Sequence, residues 1–162
     1  MPTYQTALDI PHTPDNLFDL ISDVERYPSF IRWIRRLRIV SGDARPPEAD
    51  FVAEADVGFK GFSERFATRV EAVKTQKTIR VSLVRGPFKR LNNLWRIEET
   101  AHGSRVSFSI DYVFSNPILA FLAKSNLNRA VNAIMNAFLS EADRRYPRVA
   151  RDVTKLSDAS AG

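Results

Sequence analysis

Few residues in this 162-residue chain could do chemistry. Cysteine is absent, which excludes disulfides, thiol catalysis and thiolate metal sites together. The two histidines lie among turn formers, in Pro11-His12-Thr13-Pro14 and His102-Gly103-Ser104. Neither belongs to a spaced metal-ligand motif, so both read as ordinary turn histidines. Gly58 and Gly61 do not make a phosphate loop, because no Lys-Ser/Thr follows them and a strand pattern rather than a helix comes next. The expectation is no metal and no required cofactor.

Two polar side chains stand in phase with apolar faces. Asn93 alternates with Leu91, Trp95 and Ile97. A buried amide needs hydrogen-bond partners, and a neighbouring backbone group or water is favoured over a ligand carbonyl. Glu64 alternates with Phe62 and Phe66. A buried carboxyl there would need pairing or a raised pKa, whereas at the end of a hairpin it faces solvent. Arg32, Arg35, Arg36 and Arg38 form a dense basic cluster, suited to a phosphate surface or to plain solvation. Asn128, Asn132 and Asn136 make a polar stripe at helical spacing.

The elements that must position these residues follow from periodicity. Tyr4, Thr6, Leu8 and Ile10 alternate as a strand. Thr13 is a suitable N-cap and Pro14 suits a first helical position, starting a short amphipathic helix through Ile21. A second short helix is expected from Val24, deflected at Tyr27-Pro28 and carrying Phe30, Ile31, Trp33 and Ile34. From residue 35 to 115 the chain reads as closely spaced strands: one through Leu37 and Ile39 stopped at Ser41-Gly42-Asp43, a pair joined at Gly58-Phe59-Lys60-Gly61, another ended by Gly86-Pro87, and two joined at His102-Gly103. Short turns imply an antiparallel meander. Asn116-Pro117 then caps a helix running to Arg145, about 45 Å long. Such a helix must cover the apolar face of the sheet, and a curved sheet leaves space beneath it.

The chain is 44% hydrophobic and 27% charged, an ordinary globular balance. More than half of its net +5 lies between Arg144 and Gly162, so the body lacks the concentrated charge of a DNA-binding domain. No stretch approaches the ~20 apolar residues of a membrane span, and the first residues show no leader pattern. The expectation is one domain over residues 1–146 with a basic, flexible tail over 147–162, located in the cytoplasm.

Five stretches carry a resemblance: Tyr27-Pro28-Ser29-Phe30-Ile31-Arg32-Trp33, Val57 to Phe66, Gly86-Pro87-Phe88-Lys89-Arg90-Leu91 with Trp95, Tyr112 to Pro117, and Ala137-Phe138. In this order they resemble the coenzyme Q-binding family of the START-like, polyketide cyclase/dehydrase superfamily, which includes the bacterial ribosome-association toxins. The chain departs from the family pattern at Arg32 and Ile34, and again at Glu141-Ala142. The resemblance implies an α+β helix-grip fold, in which a curved antiparallel sheet of about seven strands wraps a long C-terminal helix and two short helices follow the first strand. It implies non-catalytic binding or transport of a hydrophobic ligand, ubiquinone or a related lipid, with Phe30, Trp33, Phe62, Phe66, Asn93, Trp95, Phe108, Tyr112, Phe114, Phe121, Met135 and Phe138 as candidate ligand-binding residues. Arg32, Arg35, Arg36 and Arg38 are the candidate contacts to a partner or to the inner membrane surface. A ribosome-binding regulator is the alternative reading, and a cyclase-like enzyme a third. A hydrophobic small molecule, a membrane surface and a ribosomal subunit are thus the expected partners, and DNA is not.

Overall fold

Period-2 alternation interrupted by turn residues builds seven strands. They are β1 (Thr3–Ile10), β2 (Ile34–Asp43), β3 (Glu48–Phe59), β4 (Phe62–Val73), β5 (Thr78–Arg85), β6 (Phe88–Thr100) and β7 (Gly103–Phe114). This computed structural model describes residues 3–45, 47–59 and 61–149. The strands form one sheet in the order β1-β7-β6-β5-β4-β3-β2, with every neighbouring pair antiparallel. Strands β2 to β7 follow one another as the expected meander, and β1 returns to pair with β7. The helix-grip architecture is therefore present.

Register shifts between Ile34 and Arg36, Ile39 and Ser41, Ala67 and Thr68, and Phe88 and Arg90 interrupt the ladders. Each such irregularity bends its strand and increases the local twist, which curls the sheet. One ladder is short. Strands β5 and β6 pair only from Thr78↔Arg96 to Ser82↔Asn92, whereas β6 and β7 pair from Thr100↔Gly103 to Phe88↔Phe114. Past Ser82, β5 stays with β4 and β6 stays with β7, so the sheet splits at that end.

Two helices fill the concave side. Helix α1 (Pro14–Ser22) is capped by Thr13, whose hydroxyl accepts from the Asn16 N–H at 3.2 Å. Helix α2 (Pro117–Arg145) is capped by Asn116, whose side chain accepts from the Ile118 N–H at 2.8 Å. Both have proline at the first turn, where no N–H is needed. The second short helix ends sooner than its sequence implies. It is a 3-10 helix over Val24–Ser29, a geometry that rarely propagates. Ile34, grouped with that helix in the sequence, instead opens β2 opposite Val57. Ser41-Gly42-Asp43, expected to stop β2, continues it. Gly42 takes a φ of +92° and lies so close to the Asp50 backbone that a Cβ would not fit.

The core joins α1 (Leu17, Phe18, Leu20, Ile21), the inward residues of the sheet and the C-terminal half of α2. Val131, Met135, Phe138 and Ala142 recur at helical spacing and are all buried. Phe138 is the pivot, with its ring edge-on to Tyr27, Phe30 and Trp95 at 5.2–5.3 Å between centroids. Deleting such a side chain from a close-packed site costs about 3–5 kcal/mol.

Candidate functional site

Beneath the N-terminal part of α2 the packing is open. Leu119, Leu122, Ala123, Leu127, Ala130 and Ala133 line a space of about 500 Å³ beneath the helix. That lies within the range of small-molecule pockets. The opposite wall comes from Val57, Phe66, Phe88 and Phe114 on the strands, with Trp33 and Pro87 from the connecting segments. Three physical causes keep the space open. The helix presents three alanines, the sheet splits between β5 and β6 beside Phe88, and the chain reverses at Gly86. Gly86 has a φ of +149° and passes so close to Phe66 that no side chain fits.

The aromatic wall is organised by Phe88, which stacks on Phe114 with centroids 4.5 Å apart and meets Phe66 edge-on at 5.9 Å. These are ordinary preferred ring geometries. Trp33 is held by its backbone, because the Gly58 N–H donates to its carbonyl at 2.9 Å. Arg35 sits at the β2 irregularity and lays its guanidinium against Gly58, in space that a Cβ there would take. Only three polar side chains line the space among the described residues: Glu64 from β4, and Asn126 and Arg129 from α2. The Asn126 amide N–H donates to the Leu122 carbonyl at 2.8 Å.

Of the residues named from sequence, Trp33, Phe66 and Phe114 line this cavity. Trp95, Phe108, Met135 and Phe138 are buried in the packed core instead, and Phe30 packs against that core. Trp95 is edge-on to Phe108 at 4.7 Å. Tyr112 is buried beside Phe114, and burial pushes its hydroxyl above the usual tyrosine pKa. The Asn93 amide donates to the Ser109 carbonyl at 2.8 Å, the backbone partner favoured from sequence. Phe121 is 70% exposed. The side chain of Phe62 lies outside the described residues. Sequence reasoning passed over Val57, Pro87, Phe88, Asn126, Arg129 and the α2 leucines and alanines as cavity residues. The helical spacing of Leu119, Leu122 and Leu127 marked a buried stripe but not what lay beneath it.

All four arginines of the basic cluster are exposed. Arg38 pairs with Glu54 at 3.2 Å, and Glu54 also accepts from Arg85. Part of the cluster's charge is thus answered within the sheet. The three exposed asparagines of α2 face solvent as a stripe.

His12 differs from its sequence reading. It is fully buried, with Nε2 2.8 Å from Asp143 Oδ1 at the end of α2. Ser104 lies close by, but its hydroxyl donates to the His12 carbonyl at 2.7 Å rather than to the ring. Ser104, His12 and Asp143 are therefore a packed clasp and not a nucleophile-base-acid relay, which requires the hydroxyl to hydrogen-bond the imidazole. The clasp continues into the segment expected to be a flexible tail. Arg148 pairs with Asp143 at 2.7 Å, and the Val149 N–H donates to the Pro11 carbonyl at 2.7 Å. Residues 150–162 of that tail lie outside the described residues.

Glu141, a departure from the expected family pattern, is 5% exposed and bonded to Arg144 and Arg145 at 2.6–2.8 Å. Its charge is spent inside the molecule. No helix among the described residues is long and apolar enough to cross a membrane.

Four matches to known proteins bear on the fold that holds this cavity. A family described as polyketide cyclase / dehydrase and lipid transport matches residues 10–139. The ribosome association toxin RatA of Rickettsia prowazekii is 28% identical over 145 residues, covering 88% of this chain and 97% of its own. The mitochondrial coenzyme Q-binding protein coq10 of Schizosaccharomyces pombe is 28% identical over 147 residues, covering 88% of each. An 18 kDa protein of Caulobacter crescentus, solved in solution, is 38% identical with a TM-score of 0.76 and covers 89% of this chain and 97% of its own.

Proposed function

The chain belongs to the polyketide cyclase / dehydrase and lipid transport family, and from that premise we propose that it is a non-catalytic carrier of a hydrophobic ligand, ubiquinone or a related lipid. One observation carries this reading: a cavity of about 500 Å³ whose walls are almost wholly apolar and aromatic. Flat rings stack on Phe88, Phe114 and Trp33, and an isoprenoid tail finds aliphatic surface along Leu119, Leu122 and Leu127. A relative that is a coenzyme Q-binding protein supports the choice of cargo. No histidine lines the cavity among the described residues, and His12 is locked against Asp143 elsewhere. General acid-base chemistry would have to rest on Glu64 alone, without the paired group that a cyclisation or dehydration uses.

Native mass spectrometry of freshly expressed protein, followed by organic extraction, tests the reading. A stoichiometric quinone or lipid is the expected result. Protein that is empty and takes up neither decylubiquinone nor its reduced quinol on titration would overturn it.

A second reading has its own support. Relatives named as ribosome association toxins match most of the chain, and Arg32, Arg35 and Arg36 are exposed cations without an ion pair among the described residues. Binding to ribosomal subunits would then weaken steeply with salt, which co-sedimentation across a salt series measures.

A further inference from the structure

Carboxylates and guanidiniums on this surface are extensively paired. Asp9 bonds Arg105, Asp50 bonds Arg69, Asp56 bonds Arg65 and Asp111 bonds Arg90. Glu64 and Arg129 stand outside that pattern. Each lines the apolar cavity, one from the sheet wall and one from the helix wall, and neither makes an ion pair or a side-chain hydrogen bond among the described residues. Arg129 is exposed and Glu64 half-buried, so both are within reach of water. A ligand entering beside them removes that water. Polar groups stripped of water cost free energy unless the ligand replaces the lost hydrogen bonds.

We propose that Glu64 and Arg129 together hold the polar head of the cavity's ligand, and that this head is neutral and carries a hydroxyl. The inference rests on the carrier reading above and narrows its cargo to a hydroxyl-bearing lipid, such as the reduced quinol rather than the quinone. A hydroxyl-bearing head answers both residues, a hydroxyl hydrogen going to the Glu64 carboxylate and an oxygen of the head accepting from the Arg129 guanidinium. Hydrogen bonds to charged partners are the strong ones. The pair also sets what is refused. Glu64 repels an anionic head such as a fatty-acid carboxylate, and Arg129 repels an amine. The ligand class is a phenol, hydroquinone or alcohol on an isoprenoid or alkyl chain.

Tryptophan fluorescence provides the readout, because Trp33 lines the cavity whereas Trp95 is buried in the core. Three probes with long alkyl chains separate the cases: decylhydroquinone, its dimethyl ether and hexadecanoate. The native chain should bind the hydroquinone roughly tenfold tighter than the ether. Glu64→Leu should erase that preference while keeping the ether's affinity. Glu64→Gln should admit hexadecanoate roughly tenfold more tightly than the native chain does, as Arg129 loses its opposing charge. This last change is a gain, and a native-like circular dichroism spectrum and urea midpoint of Glu64→Gln separate it from binding to apolar surface exposed by misfolding. Equal binding of hydroquinone and ether by the native chain, or no gain of hexadecanoate in Glu64→Gln, overturns the head pair and leaves the carrier reading standing. Failure of the native chain to bind any probe overturns both.

Discussion

His12 Nε2 lies 2.8 Å from the Asp143 carboxylate, joining the end of β1 to the end of α2 across 131 residues of sequence. The ring is fully buried, and Nδ1 has no hydrogen-bond partner among the described residues. The contact therefore rests on one nitrogen. Replacing His12 with Ala removes that hydrogen bond and leaves a void beside Tyr146. A loss of about 2–3 kcal/mol is expected, read as a lower urea midpoint with an unchanged slope. An unchanged midpoint would show that the clasp contributes nothing to the fold.

The end of α2 should also fail first in acid. The Arg148 hydrogen bond, with His12 second, holds Asp143 at about 2 against a usual 3.8. Hydrogen bonding from Arg144, and then Arg145, holds Glu141 at about 2 against a usual 4.5. A carboxylate whose pKa is lower in the folded state stabilises that state above its unfolded pKa. This contribution is complete above about pH 5 and disappears as the pH falls through 4 toward 2. Denaturation midpoints followed over that range should fall, and Asp143→Asn should flatten the fall. A variant with the native chain's acid limb would refute the assignment.

Core and cavity substitutions should separate. Phe138→Ala empties a packed junction of three rings and should cost about 3–5 kcal/mol. Phe88→Ala enlarges a space that is already open and should cost about 1–2 kcal/mol, because little close packing is lost there. Ligand affinity should respond in the reverse order. Chemical denaturation and probe titration of both variants test this, and equal stability losses would mean the cavity is closed in solution.

Filling the cavity should abolish binding without harming the fold. Ala130 faces the space from α2, and Ala130→Trp places an indole within it. The melting temperature should hold or rise while extracted lipid falls to background. Undiminished cargo in a folded variant would place the ligand elsewhere.

Two glycines should behave differently. At Gly58 the atoms nearest a new Cβ are the end of the flexible Arg35 side chain, so Gly58→Ala should cost less than about 1 kcal/mol. At Gly86 it meets the root of Phe66 on a backbone with φ of +149°, so Gly86→Ala should cost about 1–3 kcal/mol and weaken ligand binding. Thermal melts of the two variants give the comparison.

The strands, their antiparallel meander and the long helix were readable because their signals are local, whereas the return of β1 to β7 was not. Val106, Phe108, Ile110 and Tyr112 alternate without interruption, and Asn116-Pro117 supplies both cap and first turn. The hollow was not readable. Alternation tells that Trp95 and Phe66 point inward, but it cannot tell that one meets a packed helix and the other an open space. That difference depends on which half of α2 lies above each strand. Phe121 shows the same limit. Counted with the apolar set, it lies 70% exposed because its helical phase turns it away from Leu119, Leu122 and Ala123. His12 looked like a turn residue because its neighbours are turn formers, while its burial depends on Asp143, far away in the chain.

The short β5–β6 ladder gives the sheet a seam. Beyond Ser82 and Asn92 the two strands are hydrogen-bonded only outward, to β4 and to β7, and are joined to each other by the Gly86-Pro87 turn and the edge-on contact of Phe66 with Phe88. Spreading this seam breaks no hydrogen bond between β5 and β6, while every other ladder and the packed half of α2 stay intact. Openings of this kind cost far less than global unfolding. Amide exchange around Gly86 and Phe88 should therefore report a breathing motion with its own low free energy. The wall at this seam is the wall of the proposed binding site, so a ligand entering or leaving there would not draw on the stability of the fold.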